Sequence, residues 1–165
     1  MKNRKTMALT ALGILVAVLL AGCQGGGVGT EQREQTETCT IAIRCDTVLD
    51  NWADLDPDKA ELVPEDGVLL PDTSATFTQG ESALDVLKRV CEEKDLHMDF
   101  STTPGYGTAY LKGIGNLYEF DCGERSGWLY HVNGQSPDVG CSDYQLQSGD
   151  TVEFLYSCNW GEDLT

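Results

Sequence analysis

Cysteine, histidine and clustered aromatic residues are the side chains of this 165-residue sequence that could do chemistry. Seven cysteines are present, and Cys39, Cys45, Cys91, Cys122, Cys141 and Cys158 lie beyond the first thirty residues. Six thiols at these spacings read first as disulfide partners, the usual use of an even number of cysteines outside the cell. Zinc would need Cys-x-x-Cys or a Cys/His pair at ligand spacing, and neither occurs. The two histidines, His97 and His131, stand far from any nucleophile elbow, phosphate-binding glycine loop or metal motif. The expectation is therefore a protein that is not an enzyme and holds no catalytic cofactor or metal. Tyr106, Tyr110, Tyr118, Trp128, Tyr130 and Tyr144 carry enough aromatic surface to build a binding face. Trp128 and Tyr130 are in phase with Val132 and read first as core. Tyr106 and Tyr110, in a glycine-rich segment, read as exposed contacts. His131, out of phase with Trp128, should face solvent or a partner.

The remaining thiol, Cys23, has a different setting. Lys2, Arg4 and Lys5 precede an apolar run from Met7 to Leu20, which is short for a membrane span and ends in Leu20-Ala21-Gly22-Cys23. This arrangement resembles a bacterial lipoprotein signal, with residues 1–22 removed and Cys23 lipidated. An uncleaved anchor is the alternative, and it too leaves the rest outside the membrane. Residues 23–38, rich in Gly, Gln, Glu and Thr, read as a flexible tether. The implied location is the extracellular face of a bacterial cell membrane, held there by the lipid on Cys23.

Net charge is −16, and beyond Cys23 eight Lys and Arg against 27 Asp and Glu leave about −19. Such a surface excludes nucleic acid as a partner, because that affinity needs a basic footprint. Asp54, Asp56, Asp58 and Glu65 fall at positions one, three, five and twelve of a calcium loop. Lys59 occupies the position that requires glycine, and the stretch reads as a solvated acidic loop.

The domain that positions the candidate residues spans 39–165. Cys39, Ile41, Ile43 and Cys45 alternate onto one face of a predicted strand over Cys39–Val48. A short helical turn is expected near Ala60–Leu62 and a strand over Ser74–Thr78. Ser82 with Asp85 three residues on marks a helix start, and Leu84, Leu87 and Cys91 form its buried stripe to about Lys94. Strands follow over Leu96–Phe100, Ala109–Ile114 and Trp128–Asn133, with Asn133-Gly134 a strong hairpin turn. Ser148-Gly149-Asp150 turns the chain into a final strand carrying Val152, Phe154 and Tyr156. A bridge between Cys122 and Cys141 would close a loop of about twenty residues and stabilise by about 3 kcal/mol. Cys45 could meet Cys91 or Cys158. One helix packed on a mixed sheet, with first and last strands adjacent, is an α+β, β-grasp-like answer.

The segments TFTQGESALDVLKRVCEE, GIGNLYEFDCGERSGWLYHVNG and SGDTVEFLY resemble the transcobalamin-like C-terminal domain family of exported bacterial proteins. The likeness runs from Thr40 to Cys158. It is most specific at Gly80 to Leu87, at Gly127-Trp128 with Tyr130 and Asn133-Gly134, and at Gly149-Asp150 with Tyr156. The resemblance implies a β-grasp domain from a group proposed to bind soluble ligands, and in its vitamin-carrier members the similar domain covers one side of cobalamin. The α-helical companion domain of those carriers has no counterpart in these residues. The expectation is a lipid-anchored extracellular binding module for a corrinoid such as cobalamin, or for another small soluble ligand. Tyr106, Tyr110, Trp128, Tyr130 and His131 are its candidate contacts. The alternative is a surface adhesion module that recognises protein or glycan.

Overall fold

The structure, a computed structural model, describes residues 36–102 and 107–164. The signal, Cys23 and Tyr106 lie outside the described residues. Among the described residues no helix is long and apolar enough to cross a membrane.

The fold is mixed α+β, with two sheets where one was expected. Four strands, β1 (Thr36–Arg44), β2 (Val68–Thr78), β6 (Gly127–Val132) and β7 (Thr151–Ser157), form a sheet in the order β2-β1-β7-β6. The smaller sheet, in the order β3-β4-β5, holds β3 (Met98–Thr102), β4 (Ala109–Ile114) and β5 (Leu117–Tyr118). As expected, the first and last strands are neighbours. They run parallel, with Ile41 beside Val152 and Ile43 beside Phe154. All four of these side chains are buried in the core, so the alternation read from the sequence does fix the inner face.

The first strand stops at Arg44, before the expected Val48, because the chain turns at Asp46 into a single helical turn, α1 (Thr47–Asp50). Gly67 lets the returning chain cross there, since a Cβ on it would sit 2.3 Å from the Asp46 Cα. The second strand starts earlier than expected. It is an edge strand, so Pro71 is tolerated within it.

The main helix, α2 (Ala83–Glu93), starts as its sequence signals. The Ser82 hydroxyl accepts from the Asp85 N–H at 3.2 Å, and the Asp85 carboxylate accepts from the Ser82 N–H at 3.1 Å. Two further donors of its first turn are satisfied from a distant loop: Ala83 N–H donates to the Tyr144 carbonyl and Leu84 N–H to the Cys141 carbonyl. Val86, Leu87, Val90 and Cys91 face the core, and the Arg89 guanidinium ties the helix to β2 by donating to the Thr76 carbonyl.

All six described cysteines are free thiols. The expected partnership of Cys122 with Cys141 does not match their surroundings. Cys141 lies in the loop that caps α2, whereas the Cys122 thiol lies 3.5 Å from the Asn51 carbonyl, on the turn whose Thr47 hydroxyl meets the Cys158 sulfur. The hairpin register explains this. Gly127 pairs with Ser157, so the segments leaving β6 and β7 at that end run side by side.

Candidate functional site

An aromatic groove of about 370 Å³ lies along the free edge of β6, where that strand meets the smaller sheet. Tyr110, Phe120, Trp128, Leu129 and Trp160 give it its apolar lining, and Glu124 and Arg125 stand at its rim. Trp160 is 72% exposed, Phe120 60%, Tyr110 55% and Trp128 only 7%. A protein rarely leaves several large apolar side chains uncovered around one depression without a use for them.

Trp128 forms the floor because both sheets hold it. Its indole N–H donates to the Leu117 carbonyl of β5 at 2.8 Å, and its ring meets that of Tyr156 edge-on at 5.2 Å. Tyr156 is fixed in turn: its hydroxyl donates to the Tyr118 carbonyl at 2.6 Å and lies 2.9 Å from Ser126 Oγ. Burial pushes the Tyr156 phenol well above its ordinary range.

The two lips are Phe120 and Trp160, and both occupy left-handed backbone, at φ +69° and +56°. Bulky residues seldom adopt that conformation, and the surroundings must impose it. The imposing groups are adjacent carbonyls. Phe120 N–H donates to Ser126 O at 3.1 Å, and Trp160 N–H donates to Arg125 O at 3.0 Å. A knot beyond β7 fixes the second lip further. The Asp163 carboxylate accepts from Ser157 Oγ at 2.5 Å and from Cys158 N–H at 2.8 Å, while Gly161 N–H donates to Ser157 Oγ at 2.6 Å.

Tyr110, on the exposed face of β4, donates its hydroxyl to Glu119 at 2.5 Å. That hydrogen bond, aided by burial, lifts its phenol to about 12. Beside the groove a second hollow of about 260 Å³ shares Tyr110, Trp128 and Leu129 and extends to Tyr130 and Pro137. Tyr130 is half-buried, stacks on Phe154 at 6.0 Å and donates to the Val139 carbonyl at 2.5 Å. Burial raises its phenol to about 12.

Of the sequence candidates, the structure therefore brings Tyr110, Trp128 and Tyr130 together. It separates His131, which sits on the opposite face of the sheet, directly across from Glu153. That face carries a polar depression of about 360 Å³ around Arg44, Asp46, His131 and Glu153. Its cation is already matched, the Arg44 guanidinium forking onto the Asp46 carboxylate at 3.2 and 3.3 Å. Lys59, the residue that breaks the calcium pattern, reaches Asp121 at 3.1 Å and the Asn116 carbonyl at 2.9 Å. Among the described residues no group of three acidic, histidine or cysteine side chains could hold a metal ion. Sequence reasoning missed Phe120, Leu129 and Trp160, which supply most of the groove's exposed apolar surface.

Comparison with known proteins agrees with the resemblance read from the sequence, as a likeness of fold. Residues 80–157 match the model of a domain of unknown function (DUF4430). No curated protein matches the sequence. Among solved structures, haptocorrin in complex with Cbi is similar at a TM-score of 0.54 and 15% identity, over 75% of this chain and 25% of that one. The chain thus spans about a quarter of haptocorrin, and at that identity the likeness is one of fold. A candidate metal-binding protein from Ruminococcus gnavus ATCC 29149 is similar over 73% of this chain and 96% of its own, at 13% identity and a TM-score of 0.43.

Proposed function

We propose that this domain is a β-grasp binding module, lipid-anchored through Cys23 outside a bacterial cell, which takes a small soluble ligand into the aromatic groove. A corrinoid is the first ligand to test, because the fold is shared with a domain of haptocorrin, a protein seen in complex with Cbi. The observation that carries the reading is the pair of exposed aromatic lips, Phe120 and Trp160, held in left-handed backbone over the buried Trp128. Exposed aromatics around a rigid floor suit a ligand with a broad apolar face, since each offers a large contact area for only two rotatable side-chain bonds. The reading assigns no reaction to the groove: the Tyr110 hydroxyl is bonded to Glu119, the Ser126 hydroxyl to Tyr156, and His97 to Tyr118 at 2.8 Å.

Titration of the purified protein with cobalamin and related corrinoids, followed by tryptophan fluorescence, tests the proposal. Saturable binding tighter than about 1 mM is expected. Its absence across the series removes the corrinoid version and leaves recognition of a protein or glycan by the same lips, which binding to cell-surface fractions would then reveal.

A further inference from the structure

Cys122 and Cys158 are separated by two strands in sequence yet meet at one helical turn. The Cys122 thiol lies 3.5 Å from the Asn51 carbonyl, and the Cys158 sulfur lies 3.7 Å from the Thr47 hydroxyl. Thr47 opens α1 and Asn51 caps its end one turn later, the two joined by an Asn51 Nδ2 to Thr47 O bond of 2.8 Å. Each thiol is close enough to shift the acidity of the other. Their backbones are stitched together independently of the thiols. Ser126 Oγ accepts from Cys122 N–H at 3.1 Å and meets the Tyr156 hydroxyl, and Trp160 N–H reaches Arg125 O.

The sequence around the pair has a mirror relation. Phe120 lies two residues before Cys122, and Trp160 lies two residues after Cys158. Each thiol is therefore the nearest possible anchor for one lip of the groove. We infer that Cys122 and Cys158 form a disulfide that clamps the two aromatic lips at a fixed separation. The regulatory consequence rests on the groove being the binding face, but the bond itself does not.

The chemistry is thiol–disulfide exchange with an oxidant of the disulfide class, such as an exported oxidoreductase or oxidised glutathione. Cys158 is the accessible member of the pair, Cys122 being buried. The Cys158 sulfur, once it has lost its proton, attacks the oxidant disulfide. One oxidant thiolate leaves and takes up a proton. Cys122, giving up its own proton, then attacks the Cys158 sulfur of the mixed disulfide, and the second oxidant thiolate leaves and is protonated. Two protein thiols are oxidised by two electrons, and one oxidant disulfide becomes two thiols. Burial pushes Cys45 and Cys122 alike up to about 12, so acidity does not choose between them; the contacts that bring Cys122 and Cys158 to Asn51 and Thr47 do.

The test is peptide mapping of the full chain after incubation with oxidised glutathione, with remaining thiols blocked by iodoacetamide and no reduction. Trypsin cuts after Arg125, and an acid-specific protease cuts after Glu153, so Cys122, Cys141 and Cys158 fall on separate peptides. The expected product joins the Cys122 and Cys158 peptides, about 2 Da below the sum of the two thiol forms, with Cys45 alkylated. A dominant Cys122–Cys141 or Cys45–Cys158 linkage, or alkylation of both Cys122 and Cys158, overturns the proposal. Hydrogen exchange reports the clamp without any ligand. Amides of 119–126 and 157–163 should exchange at least about tenfold more slowly in the oxidised protein than in C122S. Equal exchange would refute the clamp even with the bond in place. Failure of corrinoid titration, by contrast, bears on the ligand reading alone.

Discussion

The Asn133 carboxamide donates to the Asp150 carboxylate at 2.9 Å, joining the turn that ends β6 to the turn that begins β7. The same carboxamide accepts from Thr151 N–H at 2.9 Å, while the other Asp150 oxygen accepts from Gln147 N–H at 2.9 Å and from the Tyr144 hydroxyl at 3.3 Å. The long excursion between two paired strands is thus closed at its neck by one buried acid. Because the excursion also supplies the carbonyls that cap α2, its closure matters to helix and hairpin together. Asp150→Ala should cost about 2–4 kcal/mol by leaving several donors unpaired. Urea unfolding checks the figure, and a loss below half a kilocalorie would show that water replaces the carboxylate without penalty.

Tyr156→Phe removes one oxygen from the middle of the molecule. The Tyr118 carbonyl and Ser126 hydroxyl lose a partner where water has poor access. A loss of about 1–3 kcal/mol is expected, with the far-ultraviolet circular dichroism unchanged and the near-ultraviolet bands of Trp128 altered.

Groove and opposite face can be separated by substitution. Phe120→Ala and Trp160→Ala should each weaken ligand binding about tenfold or more while shifting the melting temperature little, since both side chains are exposed. His131→Ala, on the far side of the sheet, should leave affinity unchanged. Equal effects from all three would place the ligand elsewhere.

Stability should fall in strong alkali. The phenols of Tyr110 and Tyr130 are both lifted to about 12 in the folded protein, the first chiefly by its bond to Glu119 and the second by burial. An unfolded tyrosine loses its proton near pH 10, so between about 10 and 12 the folded state binds more protons. Their contribution is complete below pH 10 and is lost as pH rises through that window. Tyrosinate absorbance should show at least two late-titrating phenols, and Tyr110→Phe should remove one of them. Titration of every tyrosine near 10 would contradict the assignment.

Gly67→Ala offers a backbone test. The added Cβ would collide with the Asp46 main chain at 2.3 Å, and φ is +68°. Backbone on both sides cannot yield as a side chain can, so destabilisation of about 3 kcal/mol or more is expected. Thermal unfolding measures it directly, and a change within 1 °C would refute the tight crossing.

Local signals were legible where local physics decides. The Ser82–Asp85 capping box sits as spaced in the sequence, and Asn133-Gly134 forms its two-residue turn, both residues at positive φ. Alternation placed Ile41, Ile43, Val152 and Phe154 on the inner face. The split into two sheets was not legible, because periodicity marks a strand's faces and leaves its partners open. Phe120 and Trp160 escaped notice for a related reason. Nothing in an aromatic side chain favours left-handed backbone, so only the tertiary bonds to Ser126 and Arg125 reveal them. The preference for Cys122 with Cys141 weighed loop length alone. Pairing the β6 and β7 patterns outward from the neck of the excursion, with Val132 opposite Val152, would have set Gly127 against Ser157 and so brought Cys158 towards Cys122.

The contact between β1 and β7 has a bearing on biogenesis. Ile41 and Ile43 gain their neighbours Val152 and Phe154 only once a segment about a hundred residues further along the chain is present. The four-stranded sheet therefore cannot be completed until residues 151–157 are available to β1. Any premature stop before Thr151 would release a product whose longest apolar strand edge is bare, fit for proteolysis or aggregation and for little else.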